Sequence, residues 1–332
     1  MDKNKIKLKF VDFWDGATSQ IQYLIDILST RYQVDLSDNP DYLIYSGFGI
    51  QHLKYDCVRI FFTGECYTPN FNECDYAIGF DRLQFGDRYM RLPLYNIFQY
   101  KRDYDTLAIR PAFTLEDLKG KTGFCSFVYS NCFAQDLRTQ IFEKLSKYKK
   151  VNSGGRYRNN IGGAVADKKA FQAKHKFAIA FENTSHDGYC TEKIMEAFAA
   201  GCVPIYYGDP QVALDFNPAS FINVHDFGSL EEVIERVKEI DADNEKYLAM
   251  RNANPIAGKQ LDNGLEAFLF HIIDQDKEKA FRRSFSIPAR DEEKRQLRHE
   301  FFEYKVYRYY RKVLNQIKRM RTGTMLTTRR IK

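Results

Sequence analysis

Short apolar runs alternate along this chain with helix-period stripes, and that alternation restricts the fold more than any other feature. Residues 5–13 alternate in polarity, with Ile6, Leu8 and Phe10 on one face, and predict a strand. Thr18 and Ser19 stand before Ile21, Leu24, Ile25 and Leu28, a helical stripe with a candidate N-cap. Strand-like runs follow at 42–45, 58–63 and 76–80. Pro93 and the charged run 101–105 predict a linker region reaching to about residue 120. The pattern then repeats. Residues 124–129 read as a strand, and Leu137, Ile141, Phe142 and Leu145 as the inner face of a helix. Residues 177–181 are a short buried strand, 192–200 a helix stopped by Gly201, and 203–207 the next strand. Ser229 and Glu232 form a capping box before Leu230, Val233, Ile234 and Val237. Repeated βα units predict an α/β chain with two Rossmann-like layers, and 332 residues suffice for two such domains. The expected boundaries are 1–115, 116–288 and a tail at 289–332.

Composition narrows the class. Apolar residues make up 44% and charged residues 28%, which excludes a disordered chain. Aromatic residues reach 15%, an excess that fits a ring-rich core and equally a carbohydrate site. The seven cysteines, Cys57, Cys66, Cys74, Cys125, Cys132, Cys190 and Cys202, are irregularly spaced and include no CxxC pair, so reduced thiols are expected. The six histidines are scattered and form no metal-ligand pattern. Met1–Lys7 carries charge without an apolar run after it, and no run of about 18 apolar residues occurs, so a cytoplasmic protein without a secretory signal or spanning helix is expected.

Charge is unevenly placed. Residues 291–332 hold 13 Lys/Arg against 5 Asp/Glu, a net of +8, while the whole chain carries +6, leaving −2 for residues 1–290. Between about Arg290 and Arg321, apolar positions such as Leu297, Phe301, Tyr304, Tyr307, Leu314 and Ile317 fall mostly at three- or four-residue steps among basic residues. A basic amphipathic C-terminal helix is expected, with an anionic inner-membrane surface as its partner, or else a helix packed back on the body with a solvated basic face. Confinement of the basic residues to the tail argues against nucleic-acid binding.

The segment 177–193 carries the chemistry. It runs from a strand through a polar loop to a helix start, with Thr191 as candidate cap and Glu192 and Lys193 in the first turn. A helix N-terminus offers N–H groups and the positive end of a dipole, so a diphosphate fits there. Lysine at that position is mildly unfavourable alone, by a few tenths of a kcal/mol, and a bound anion reverses the sign. Glu192 can accept from a ribose diol, and Asn183 and Tyr189 can reach a sugar or phosphate. An ordinary strand–loop–helix with a solvated charge pair accounts for the same spacing.

Four ordered motifs carry a resemblance. The first is Phe181–Thr184, Gly188–Lys193 and Gly201–Gly208; the second is Phe62–Glu65, Pro69–Phe71, Asp75–Phe80, Asp87–Tyr89 and Arg91–Tyr95. The third is Phe124–Asn131 with Arg138 downstream, and the fourth Asp215–Phe221 with Val224–Asp226. Across residues 40–255 the chain resembles the bacterial, Helicobacter-type α1,3/4-fucosyltransferases of glycosyltransferase family 10. The resemblance implies the GT-B type of fold, two facing Rossmann-like domains, with an acceptor-binding domain first and a GDP-fucose-binding domain second. It implies donor-binding roles for Ser130, Asn131, Arg138, Asn183, Tyr189, Glu192 and Lys193, and a general-base role for Glu65. The implied reaction is inverting transfer of L-fucose from GDP-fucose to the GlcNAc of a β-galactosyl-GlcNAc acceptor; the alternatives are a GT-B glycosyltransferase using another nucleotide sugar and a non-catalytic membrane-surface glycan-binding protein.

The residue types suit that chemistry. A carboxylate takes the acceptor's hydroxyl proton, and cations at Arg138 and Lys193 offset charge on the departing diphosphate. No cofactor is then required, and a divalent metal is at most stimulatory. The Asp103/Asp105 and Asp241/Asp243 pairs, which imitate a metal motif, are expected to be surface charges. Glu65, at the end of an apolar strand, is expected to be buried, which raises a carboxyl pKa. His186 and His225 are expected to be hydrogen-bonded loop or core residues. The heptad repeats frequent in the Helicobacter enzymes are missing from this sequence, so their mode of dimerisation does not carry over.

Overall fold

In the protein's computed structural model, which describes residues 4–107, 109–130, 136–256, 264–284, 286–299 and 303–321, each named strand pairs in parallel with its neighbours. Two compact units result, one of residues 1–98 and 262–308 and one of 99–261 and 309–332. Both are parallel-sheet α/β units, as the alternation predicts.

The first unit opens with β1 (Lys5–Val11), α1 (Thr18–Ser29), β2 (Gln33–Leu36), β3 (Tyr42–Tyr45), β4 (Val58–Phe62), β5 (Tyr76–Gly79) and β6 (Tyr89–Arg91). Its sheet order is β2-β1-β3-β4-β5-β6. Every residue of β3 and β4 is buried, as expected of strands covered on both faces. The chain leaves this unit at the start of α2 (Phe98–Leu107).

The second unit continues with α3 (Leu115–Lys119), β7 (Gly123–Phe127), α4 (Leu137–Tyr148), β8 (Val151–Ser153), α5 (Lys168–Ala173), β9 (His175–Phe181), α6 (Glu192–Ala199), β10 (Val203–Tyr207), β11 (Ile222–Asn223), α7 (Leu230–Ala242) and α8 (Asn244–Asn252). Its order is β11-β10-β9-β7-β8. The core joins Phe127, Phe177, Phe181, Val203 and Ile205 of the sheet to Ile141 and Leu145 of α4 and Val233 and Val237 of α7. Each such side chain contributes about 1.5–3 kcal/mol on full burial. Gly201 ends α6 with φ +71°, a left-handed conformation that favours glycine.

The chain then returns to the first unit with α9 (Leu265–Asp274), α10 (Lys277–Ala280), α11 (Ile287–His299) and the beginning of α12 (Glu303–Arg321).

The domain boundaries differ from those read in the sequence. The first falls at Phe98 rather than residue 115, and the charged run 101–105 lies inside α2 instead of a linker. The reading that runs the second domain to residue 288 also fails. Leu265, Leu269 and Ile272 of α9 are buried with Leu24 and Leu28 of α1 and Ile44 and Ile60 of the first sheet. An apolar stripe follows the core it can cover, whatever its position in the chain. The separate tail from residue 289 is corrected likewise. Buried Arg59 of β4 donates to Glu293 of α11 at 2.8 Å, and the Arg283 guanidinium pairs with fully buried Asp75. Val306, Tyr309, Tyr310 and Leu314 of α12 are exposed.

In an open parallel sheet, ligands bind beyond the carboxyl ends of the strands where the strand order reverses. The orders above put that point between β1 and β3 in the first unit and between β7 and β9 in the second.

Candidate active site

Beyond β7 and β9 the sequence supplies Tyr129, Glu182 and Asn183. Tyr129 ties the two strands together: its hydroxyl donates to the Ile179 carbonyl at 2.8 Å and accepts from the Phe181 amide at 2.7 Å. Gly155, after β8, lets its loop pass against the Tyr129 backbone, since a Cβ there would lie 2.0 Å from the Tyr129 carbonyl oxygen. Arg138, in the first turn of α4, is buried with its guanidinium 4.1 Å from the Tyr129 ring centre. It donates to the Phe181 carbonyl at 3.0 Å and to Asn183 Oδ1 at 2.9 Å. Burial pushes the Tyr129 hydroxyl up to about 12, while the positive charges of Arg138 and Lys193 pull the other way. Two of the expected donor-binding residues, Arg138 and Asn183, thus meet directly.

Glu182 organises the rest of the edge. Its side chain is wholly buried. It accepts from the Thr191 amide at 2.7 Å, from the Thr191 hydroxyl at 2.7 Å and from Lys193 Nζ at 2.8 Å. A carboxylate taken out of water needs such donors, because its uncompensated burial costs several kcal/mol. Gly208 makes room: a Cβ there would lie 2.4 Å from Glu182 Cγ. The expected side-chain cap does not form. Thr191 occupies the N-cap position of α6, but its hydroxyl is turned to Glu182 and makes no cap hydrogen bond.

Lys193 also lies 3.3 Å from Glu192 Oε1. Desolvation opposes its charge, but Glu182 and Glu192 outweigh that and hold its pKa well above the usual lysine value. Burial pushes the Glu192 carboxyl up, yet Lys193 and Lys168 bring it to a net value below the ordinary one. Lys168 pairs in turn with Glu196, whose carboxyl is raised by burial. Glu192 and Lys193 therefore remain charged together at the start of α6.

Tyr189 is buried, and its carbonyl accepts from the Tyr206 hydroxyl at 3.3 Å. Asp209 binds the Gly188 and Gln211 amides, each at 2.9 Å, and so fixes the loop between β9 and α6. Ser185 donates to the Gly208 carbonyl at 2.7 Å, and His225 stacks on Tyr207 with ring centres 4.7 Å apart. His186 is exposed. Ser130 is exposed just beyond β7, and Asn131 lies outside the described residues.

In the first unit, Glu65 sits three residues past β4 and is exposed, which corrects the expected burial. The strand ends at Phe62, and a bend turns the chain: the Glu65 amide donates to Thr63 Oγ1 at 3.0 Å and its carbonyl accepts from the Tyr67 amide at 2.7 Å.

The aspartate pairs have structural partners. Asp103 pairs with Lys169 and Asp105 with Lys101. Asp241, expected at the surface, is buried between Lys149 and Lys176, and Asp243 caps α8. Among the described residues no group of three or more His, Cys, Asp or Glu is arranged to hold a metal ion.

Glu182 and Tyr129 are the residues sequence reasoning left without a role. An acid directly after a fully apolar strand end is a visible signal, since that position forces burial and demands a partner. The Tyr129 role depends on the lateral pairing of β7 with β9, which no local pattern reveals.

Comparison with known proteins adds independent observations. The α-(1,3)-fucosyltransferase FucT N-terminal domain family matches residues 8–98, and the glycosyltransferase family 10 (fucosyltransferase) C-terminal family matches residues 118–252. The chain is 38% identical over 289 residues to the α-(1,3)-fucosyltransferase FucT of Helicobacter pylori, covering 76% of this chain and 60% of that protein. It therefore spans about three-fifths of the length of that relative. It is 32% identical over 170 residues to 4-galactosyl-N-acetylglucosaminide 3-α-L-fucosyltransferase 9 of Rattus norvegicus, 48% of this chain and 46% of that one. A crystal structure of an α1,3-fucosyltransferase with GDP-fucose is similar with a TM-score of 0.70 and 32% identity, over 86% of this chain and 94% of that chain.

Proposed function

The chain belongs to glycosyltransferase family 10, with two α/β units of the GT-B type, and on that premise we propose that it is an inverting α1,3-fucosyltransferase. The donor is GDP-fucose and the acceptor the GlcNAc of a β-galactosyl-GlcNAc glycan, so the product is a Lewis-type branch on a surface polysaccharide such as lipopolysaccharide. The observation that carries this reading is the pair of buried cations, Arg138 against Asn183 and Lys193 against Glu182, at the strand-order reversal of the second sheet.

In the proposed step Glu65 accepts the proton of the acceptor hydroxyl as its oxygen bonds to C1 of fucose from the face opposite the leaving group. The bond from C1 to the diphosphate oxygen breaks, and GDP departs with the electron pair. Arg138 and Lys193 offset the charge that develops on the diphosphate. Glu192 accepts from the ribose, and Asn183, Tyr189, Ser130 and Asn131 complete the donor set. Tyr189 acts from its buried position by shaping the loop. With two cations in that role, no resident metal is assigned, and chelator treatment leaves the rate within about twofold.

The second unit is the donor-binding half and the first the acceptor-binding half. The exposed rings of Tyr309 and Tyr310 on basic α12 suit an anionic membrane surface, a peripheral placement that flotation with anionic liposomes tests. No helix of the described residues is long and apolar enough to cross a membrane.

The experiment is GDP release from GDP-fucose in the presence of N-acetyllactosamine, followed by NMR determination of the product linkage. Glu65→Gln lowers turnover by about 10²–10⁴-fold, the range of general-base contributions, while GDP binding survives. A near-normal rate in that variant refutes the base assignment, and thermal stabilisation by UDP but not GDP refutes the donor.

A further inference from the structure

The strand-order reversal of the first sheet holds a buried histidine between two carboxylates. His52 Nδ1 lies 2.7 Å from Asp12 Oδ2, and Nε2 lies 3.3 Å from Glu73 Oε2. The side chains of His52, Asp12 and Glu73 are 4%, 2% and 12% exposed, so all three groups are largely removed from water. Three separate stretches meet here. Asp12 follows β1, His52 lies in the turn after β3, and Glu73 ends the segment between β4 and β5 that carries Glu65.

Each stretch is tied to the trio by further bonds. Asp12 adopts φ +59°, a left-handed conformation uncommon outside glycine. That turn aims its carboxylate at the Gln51 and His52 amides, each at 2.9 Å. The Asp12 carbonyl accepts from the Phe48 amide at 2.9 Å, and a Cβ at Gly49 would lie 2.3 Å from Asp12 Oδ1. Glu73 accepts from Asn70 Nδ2 at 2.8 Å and from Gln296 at 3.0 Å. Tyr67, two residues beyond Glu65, packs on Phe61 and lies over Gly47. The loops so held carry the half-exposed rings of Trp14, Phe48 and Tyr67 as well as Glu65.

An ionised carboxylate only accepts hydrogen bonds, and a neutral imidazole has one donor nitrogen. The bridge from Asp12 to Glu73 is therefore complete only when His52 carries both protons. Around the trio, Tyr45 stacks on His52 at 3.9 Å, and burial keeps its hydroxyl and the Cys74 thiol protonated. Arg59 donates to the Leu53 and Glu73 carbonyls and to Glu293, while Glu73 itself, pushed up by burial, is brought below its ordinary pKa by His52, Gln296 and Asn70. Lys54 is in the same turn as His52 and bonds Gln51.

We infer that His52, bridging Asp12 and Glu73, is a positioning residue that clamps the Glu65 loop and its neighbouring aromatic rings in the geometry needed for a saccharide acceptor. The inference rests on the proposed function for the identity of the substrate, but the clamp itself is measurable without turnover.

Amide hydrogen exchange on the full chain without substrates reads the clamp directly: His52→Gln accelerates exchange in residues 63–74 at least about tenfold. Unchanged exchange there overturns the clamp whether or not the protein transfers fucose. Where transfer is found, His52→Gln raises the acceptor KM about tenfold and leaves the GDP-fucose KM within about twofold. Equal movement of both KM values overturns the inference. Should His52→Gln not fold, Glu73→Gln keeps the Asp12 contact and gives the same KM split, and its absence there overturns the proposal too.

Discussion

Each sheet carries a carboxylate just past an apolar strand, Glu65 after β4 and Glu182 after β9, and the two are treated in opposite ways. Glu182 is wholly buried and bound by the amide and hydroxyl of Thr191 and the ammonium of Lys193. Glu65 is turned to the surface by a bend, with Thr63 and Tyr67 holding its backbone. A carboxylate locked among donors has its oxygens committed and builds scaffold. A carboxylate in reach of solvent on a held loop is accessible to a substrate. The same residue type is thus buried in a donor network in one unit and turned to the surface in the other.

The contrast breaks most readily at Glu182. Glu182→Ala leaves the buried Lys193 ammonium without its main counter-charge and destabilises the chain by about 3–5 kcal/mol, read as a lowered midpoint in guanidinium unfolding. A loss below about 1 kcal/mol would mean that the network is ornamental. Gly208→Ala comes next. Its Cβ would lie 2.4 Å from Glu182 Cγ and 2.5 Å from the Tyr206 hydroxyl oxygen, and such overpacking costs typically about 1–3 kcal/mol. GDP affinity falls with it, because Lys193 moves when Glu182 moves.

A pH series sharpens the comparison at smaller amplitude. Lys193, held above its ordinary pKa, stabilises the fold below the usual lysine range and loses that contribution as pH rises through its elevated value. Glu192, held below its ordinary pKa, stabilises above the usual glutamate range and loses that contribution as pH falls through its depressed value. Glu196, raised by burial, acts with the opposite sign and favours the fold at lower pH, which blunts the acid limb. Melting temperature against pH therefore loses part of its acid limb in Glu192→Gln, and an unaltered limb refutes the charge assignment. The smallest expected effect is on stability in Glu65→Gln, within about ±0.5 kcal/mol as for other surface substitutions. A large loss there would erase the distinction between the two carboxylates.

Much of the architecture was legible because parallel strands announce themselves as uninterrupted apolar runs. The strand expected at 203–207 is β10 to the residue, and the helix expected at 192–200 is α6 within one. The short strands β2, β6, β8 and β11 were not read, since QVDL, YMR, VNS and IN each carry polar residues and none forms an apolar run. The capping box at Ser229 is half present: Ser229 accepts from the Glu232 amide, while the Glu232 carboxylate reaches Gly228 instead. A reciprocal box does form at Thr114 and Asp117, where only a linker was expected. At the candidate site, Arg138, Asn183, Glu192 and Lys193 were picked out by their motifs. Their true partners were not, because Glu182, Tyr129 and Gly208 act through side-by-side strand pairing. The Asp12–His52–Glu73 clamp was invisible for the same reason, its members being 40 and 21 residues apart.

The first unit is closed by a piece of chain that is made after the whole second sheet. Asp75, wholly buried, is held by the Arg282 and Arg283 amides at 2.7 and 2.8 Å, and α9 covers the apolar face beside it. Residues 99–261 must leave the ribosome before any of these appear, which takes on the order of ten to thirty seconds at about 5–20 residues per second. The second sheet, complete within that stretch, can fold while the first still waits with Ile44, Ile60 and Ile78 uncovered. The second sheet can therefore fold before the first, against the order of synthesis, which leaves the nascent first sheet as the surface for a chaperone to shield.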